Sequence, residues 1–160
     1  MIIVVFGNDA RANAVRALLS SGGFSVASGF DSTPPEVVVL AGSRYDYDRI
    51  GGDGSVNATA CILIDATDGR FDRASLEAAG ARVGTERLVR ALLVLPQAGA
   101  NVLLCADDRA AMKQTQQIFE ACGCVPTDRG PLSNADQLQP PGRSLDSEFQ
   151  SLKSANTTDD

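Results

Sequence analysis

The chain has 160 residues, enough for one domain that buries roughly two thirds of its unfolded surface around a single core. Its formal charge of −6, from 20 acidic against 14 basic residues, argues against nucleic acid, whose phosphates need clustered cations. There is no histidine, which excludes Ser-His-Asp and Cys-His nucleophile systems.

The opening run MIIVVFG carries no basic segment and is too short for a signal peptide or a membrane span, so a cytoplasmic location and no membrane partner are expected. Residues 2 to 6 read as a buried strand. Positions 10 to 21 read as a helix with Val15, Leu18 and Leu19 facing inward, closed by Gly22-Gly23. Phe24 to Ser28 make a second short strand, and a Pro-Pro turn leads to a third, Val37 to Leu40, ending at Ala41-Gly42. The stretch from 43 to 58 is polar and Gly-rich, read as a loop, and includes Tyr45 and Tyr47. Ala60 to Ile64 form a fourth strand, followed by Asp65-Ala66-Thr67-Asp68.

Residues 73 to 80 suggest a modest helix closed by Gly80, and Leu88 to Leu95 a strand stopped by Pro96. After a turn at Ala98 to Asn101, VLLCA is another strand. Asp107 and Asp108 are N-cap candidates for a helix from Arg109 to Cys122, with Ala111, Met112, Thr115, Ile118, Phe119 and Cys122 on one face. A brief strand, CVPT, follows. Cys61 and Cys105 lie in apolar runs, and Cys122-Gly-Cys124 lacks the spacing of a zinc site, so all four cysteines read as structural and no metal is expected.

Nearly continuous apolar strands alternating with helices indicate the doubly wound α/β class, a mostly parallel sheet covered on both faces. Residues 1 to 140 are read as one such domain and 141 to 160, poor in core-forming residues, as a flexible or loosely packed tail. Ligands of such sheets lie beyond the carboxyl ends of the strands, where strand order reverses. The candidate rim is Gly7 to Ala12, Asp31, Ala41 to Arg44 and Asp65 to Asp68.

The segment GCVPTDRGPLSNADQLQP resembles the end of the deazaflavin-dependent NADP oxidoreductases, the coenzyme F-420 family that also covers the cytosolic domains of the Steap metalloreductases. In that family a Gly-Phe-x-x-x-Asp-x-Gly-x-Leu run leads into a helix, and Gly123, Asp128, Gly130, Pro131, Leu132, Ala135 and Pro140 match. NVLLCADDRAAMKQTQQIFEACG and VRALLVLP are similar to two further segments, so the resemblance spans about residues 2 to 140. It implies a Rossmann-like NAD(P)-binding fold and an oxidoreductase whose cofactor supplies the redox chemistry.

The rim and the resemblance together point to Gly7, Asn8, Asp9, Ala10, Arg11, Asp31, Ala41, Gly42 and Asp65 as the residues for a cofactor, NAD or NADP, with turn chemistry or helix capping as the alternative for Ala41, Gly42 and Asp65. The sequence departs from the pattern at several of these. Asp9 replaces the second fingerprint glycine, adding bulk and negative charge beside a diphosphate. Ala12 replaces the third, which still allows close helix-to-strand packing. Arg11 is either a phosphate partner or a solvated helix residue. Asp31 stands where NADP-preferring members place Ser-Arg, which favours NAD, or else is an ordinary turn residue. Leu92-Leu93 stand in place of a Phe-Asn pair near the reacting face. Three readings follow: an NAD(P)-linked oxidoreductase, a non-catalytic module acting through homo-oligomerisation or a protein partner, and a module for a nucleotide with fewer phosphates.

Overall fold

The computed structural model describes residues 1–27, 29, 34–42 and 60–138. Within them the order is β1 (Ile2–Phe6), α1 (Ala10–Ser21), β2 (Ser25–Ala27), β3 (Val37–Leu40), β4 (Ile62–Asp65), α2 (Arg73–Val83), β5 (Leu88–Leu93), β6 (Asn101–Ala106), α3 (Arg109–Ala121), β7 (Val125–Asp128) and a 3-10 helix (Leu132–Gln137). The expected loop at 43 to 58, with Tyr45 and Tyr47, lies outside the described residues, as do Asp31 and the tail from 141.

The strands form one seven-stranded sheet in the order β2-β1-β3-β4-β5-β6-β7. This is the doubly wound α/β architecture expected from the alternation of strands and helices. Neighbours are parallel except β5 and β6, which pair antiparallel from Val89 opposite Ala106 to Leu93 opposite Val102. The reversal follows from chain length: only residues 94–100 join the two strands, far fewer than the dozen or so that a parallel crossover takes. Residues 28–36 alone link β2 to β3, which flank β1 on opposite sides. Strand order therefore reverses at β1.

Alternate strand residues feed two cores. On one face Ile3, Val5, Val37, Val39, Ile62, Ile64, Ala91 and Leu93 meet α1 and α3. On the other, Val38, Leu40, Leu63, Leu92 and Cys105 meet α2 and the 3-10 helix through Leu76, Ala79, Val83, Leu132 and Ala135. Helix α3 buries the face read from its sequence, Ala111, Met112, Thr115, Ile118 and Phe119, and Thr115 satisfies its hydroxyl on Ala111 O at 2.8 Å. Asp108 caps it, accepting from Ala111 N at 2.9 Å, and this bond leads the causes holding its carboxyl below the usual range. No helix among the described residues is long and apolar enough to cross a membrane.

Several strand bounds shift by one or two residues from the sequence reading, β4 for example running Ile62–Asp65, and three further differences have a physical reason. Helix α2 runs through Gly80 to Val83 and is closed by Gly84 at φ +91°. A β-carbon on Gly80 would lie 2.8 Å from both Leu88 Cδ2 and Thr85 O, so this glycine serves helix-to-strand contact, not termination. Strand β5 stops at Leu93, because Leu95 and Pro96 belong to the turn toward β6. After Gly130 the chain forms a 3-10 turn, not the regular helix implied by the resemblance.

All four cysteines are free and buried. Burial pushes the Cys61, Cys105 and Cys122 thiols from the ordinary 9.0 up to about 11.

Two outcomes are expected. Gly80→Ala should destabilise by about 1–3 kcal/mol in urea unfolding. Helix propensity alone would give a gain of about 1 kcal/mol, so the sign separates the two effects. The raised thiols hold their protons in the folded state while an unfolded chain ionises first. Stability should therefore fall as pH rises from about 9 to about 11. The fall should be shallower in Cys105→Ala, as read by melting temperature.

Candidate functional site

The carboxyl end of β1 meets that of β3 through backbone. Gly7 has φ +137°, and a β-carbon there would lie 2.6 Å from Ala12 Cβ, 2.9 Å from Gly42 N and 3.2 Å from Gly42 Cα. Only glycine fits such a position. Ala41 N donates to Phe6 O at 2.9 Å and locks β3 alongside. The structure thus brings Gly7, Asn8, Asp9, Ala10, Arg11, Ala41 and Gly42 together at the point of strand-order reversal, with Asn8, Asp9 and Ala10 exposed. Asp31, Arg44 and Ser43 lie outside the described residues.

Asp9 is the N-cap of α1, with extended backbone at φ −94° and ψ 179°. Its Oδ1 accepts from Ala12 N at 2.9 Å, satisfying one of the amides that a helix start leaves open. Those amides are the groups that bind phosphate in this architecture. A diphosphate arriving here meets a carboxylate already bonded to one of them.

Arg11 is neither a solvated residue nor pointed at an exposed phosphate seat. Its guanidinium crosses the carboxyl edge of the sheet and donates to Ala66 O at 3.1 Å, Leu93 O at 2.5 Å and Val94 O at 3.5 Å. Burial draws its ordinarily very high pKa downward; nearby Asp68 opposes this and Arg90 adds to it. Arg16, a residue the sequence did not single out, donates to Val5 O at 2.9 Å, Gly7 O at 2.5 Å and Asn13 Oδ1 at 2.8 Å. It braces the glycine turn from the side where β2 has ended.

Asp65, expected to line the rim, is fully buried. Its Oδ1 lies 3.1 Å from Arg90 Nη1, also fully buried, and accepts from Thr67 N at 3.0 Å and Thr67 Oγ1 at 2.7 Å. Asp65 and Arg90 are register partners on β4 and β5, so sheet pairing itself sets them side by side. Arg90 further donates to Thr67 O and Gly69 O, each at 3.0 Å, and lies 5.9 Å from the Phe71 ring centroid. The only sequence signal for it was a cation inside the apolar run LVRALL.

The segment after β4 is thereby held by two guanidiniums, Arg11 on Ala66 O and Arg90 on Thr67 O and Gly69 O. Leu92 and Leu93, in place of the resembled Phe-Asn, are both fully buried. Among the described residues no group of three or more His, Cys, Asp or Glu could hold a metal ion. A groove of about 450 Å³ opens at the other end of β5, beside Thr85, Glu86 and Asp107. Among the charges on and beside its walls, Arg73 pairs with Asp107 at 3.2 Å and Arg87 with Asp108 at 3.3 Å.

No protein-family model and no curated protein matches this chain. Solved structures do. A hypothetical protein from Sinorhizobium meliloti aligns with a TM-score of 0.68 at 17% identity, over 91% of this chain and 92% of its own. The prephenate dehydrogenase of A. aeolicus, in complex with hydroxyphenyl propionate and NAD+, aligns at 0.65 and 13%, over 86% of this chain. The pyrroline carboxylate reductase of Plasmodium falciparum, with NADP bound, aligns at 0.63 and 12%, over all of this chain and 70% of its own. This chain covers 62% of the prephenate dehydrogenase. The likenesses show the fold: a Rossmann-type α/β sheet shared with several kinds of NAD(P)-linked oxidoreductase.

Removing one member of a buried ion pair leaves a stranded charge, so Arg90→Met should destabilise by about 3–5 kcal/mol. Asp65→Leu combined with Arg90→Met should recover much of that loss. A double-mutant cycle in urea checks both.

Proposed function

We propose that this chain is an NAD(P)-binding, oxidoreductase-like Rossmann protein that resembles the deazaflavin-dependent NADP reductases but does not turn over substrate by itself. One observation carries the reading: Gly7, at φ +137° and packed against Ala12 and Gly42, makes the tight turn from β1 into α1 at the strand-order reversal, where the dinucleotides of this architecture bind. Gly7, Asn8, Ala10 and Gly42 would hold the phosphates, and Asp31, from its place in the sequence after β2, would accept from ribose hydroxyls and favour NAD. The solved neighbours carrying NAD+ and NADP support the same ligand class.

The residues fit the cofactor's backbone contacts and oppose its charge. Asp9 sets a carboxylate on the α1 amide. A bound nicotinamide would supply hydride chemistry, yet the polar groups near it are engaged elsewhere: Asp65 with Arg90, and Arg11 with three carbonyls. A second reading, a non-catalytic module acting through self-association or a protein partner, draws on Leu95 and Val125, which are 55% and 53% exposed.

Asp9→Ser keeps an oxygen to cap α1 and removes the charge. Calorimetry should show NAD bound about tenfold more tightly by Asp9→Ser than by the parent chain, a change of ~1.4 kcal/mol. Failure of NAD and NADP to bind or raise the melting temperature of either protein would transfer support to the second reading.

A further inference from the structure

The two βαβ halves of a doubly wound sheet each take one half of a dinucleotide. The adenosine half lies toward β1 and β2, the diphosphate at the start of α1, and the other nucleoside over the strands beyond the reversal, here β4 and β5. That second area is covered from within the chain. Arg11 leaves the first turn of α1, passes the end of β3 and lays its guanidinium on Ala66 O after β4 and on Leu93 O and Val94 O at the end of β5.

We propose, building on the nucleotide-binding reading, that Arg11 shortens the cleft, so that its ligand is an adenosine phosphate held without a seated second nucleoside. Three features make the arginine a fitted occupant. It bonds to carbonyls on two separate segments, 55 and 82 residues away in sequence. Ala66 O follows the end of β4, and Leu93 O and Val94 O lie at the end of β5, so the arginine spans the carboxyl ends of both strands. The guanidinium is partly desolvated, and its Nε is buried without an acceptor among the described residues, so it sits inside the fold. A dinucleotide bound to this chain engages its adenosine end, and its nicotinamide stays outside the cleft.

Calorimetry of the full chain with ADP and with NAD tests the proposal, with Arg11→Ala and Arg11→Met compared to the parent. The parent should bind ADP at least as tightly as NAD. In Arg11→Ala the affinity for NAD should rise about tenfold, or ~1.4 kcal/mol, while that for ADP stays within about twofold. Arg11→Met keeps the aliphatic stem and should give a smaller gain; it serves if the alanine variant does not fold. NAD bound about tenfold more tightly than ADP by the parent would overturn the proposal without any variant. An unchanged ratio of the two affinities, or an equal loss of both, would overturn it while leaving the nucleotide reading intact. Absence of binding by either ligand to every protein would remove both.

Discussion

The buried pair of Asp65 and Arg90 is the constraint around which the carboxyl edge of this sheet is arranged. Two charges with no solvent contact are tolerated only when their remaining donors and acceptors are also met. Sheet register supplies the pairing, but the guanidinium has five donors. Thr67 O and Gly69 O turn inward to accept two of them, and Thr67 donates twice to the carboxylate. The chain after β4 is therefore drawn tight over Arg90 on its way to α2. Its intervening carbonyl, Ala66 O, is left for Arg11 on the other side.

From that arrangement the rest of the edge follows. Arg11 ties the first turn of α1 to β4 and β5, Arg16 ties its second turn to the end of β1, and Asp9 closes the helix start. The side chains of Asp9, Arg11, Arg16, Asp65 and Arg90 are all bonded within the protein. The cost is visible in the Nε atoms of Arg11, Arg16 and Arg90, all buried without an acceptor among the described residues. Each such orphan costs about 1–3 kcal/mol, so the arginines are held by what their other nitrogens gain. An edge built this way is stiff, and a ligand must either leave these contacts intact or displace them.

The backbone cradle and the side-chain bonds thus point in different directions. Gly7, Ala12 and Gly42 keep the tight strand-to-helix turn and close packing of a dinucleotide fold. Asp9 and Arg11 fill its neighbourhood with groups of the chain itself.

Periodicity alone determined most of the fold. The inward faces of α1 and α3 and the span of β3 follow from apolar spacing, because burial of a helix stripe or a strand run is a local pattern. Asp9 was legible as a departure from a glycine fingerprint, whereas its service as the N-cap of α1 emerged only from the structure. The roles of Arg11, Arg16, Arg90 and Asp65 were not legible either. Each is settled by groups that other strands and turns bring within reach, and no spacing along one strand reveals which edge a long side chain will reach. Gly80 shows the same limit: its place in the sequence resembles a helix stop, and only the approach of Leu88 and Thr85 shows that it is a contact. Local patterns determined the elements, whereas the tertiary structure decided where the charges went, because a buried charge is placed by whatever partners the assembled sheet brings within reach.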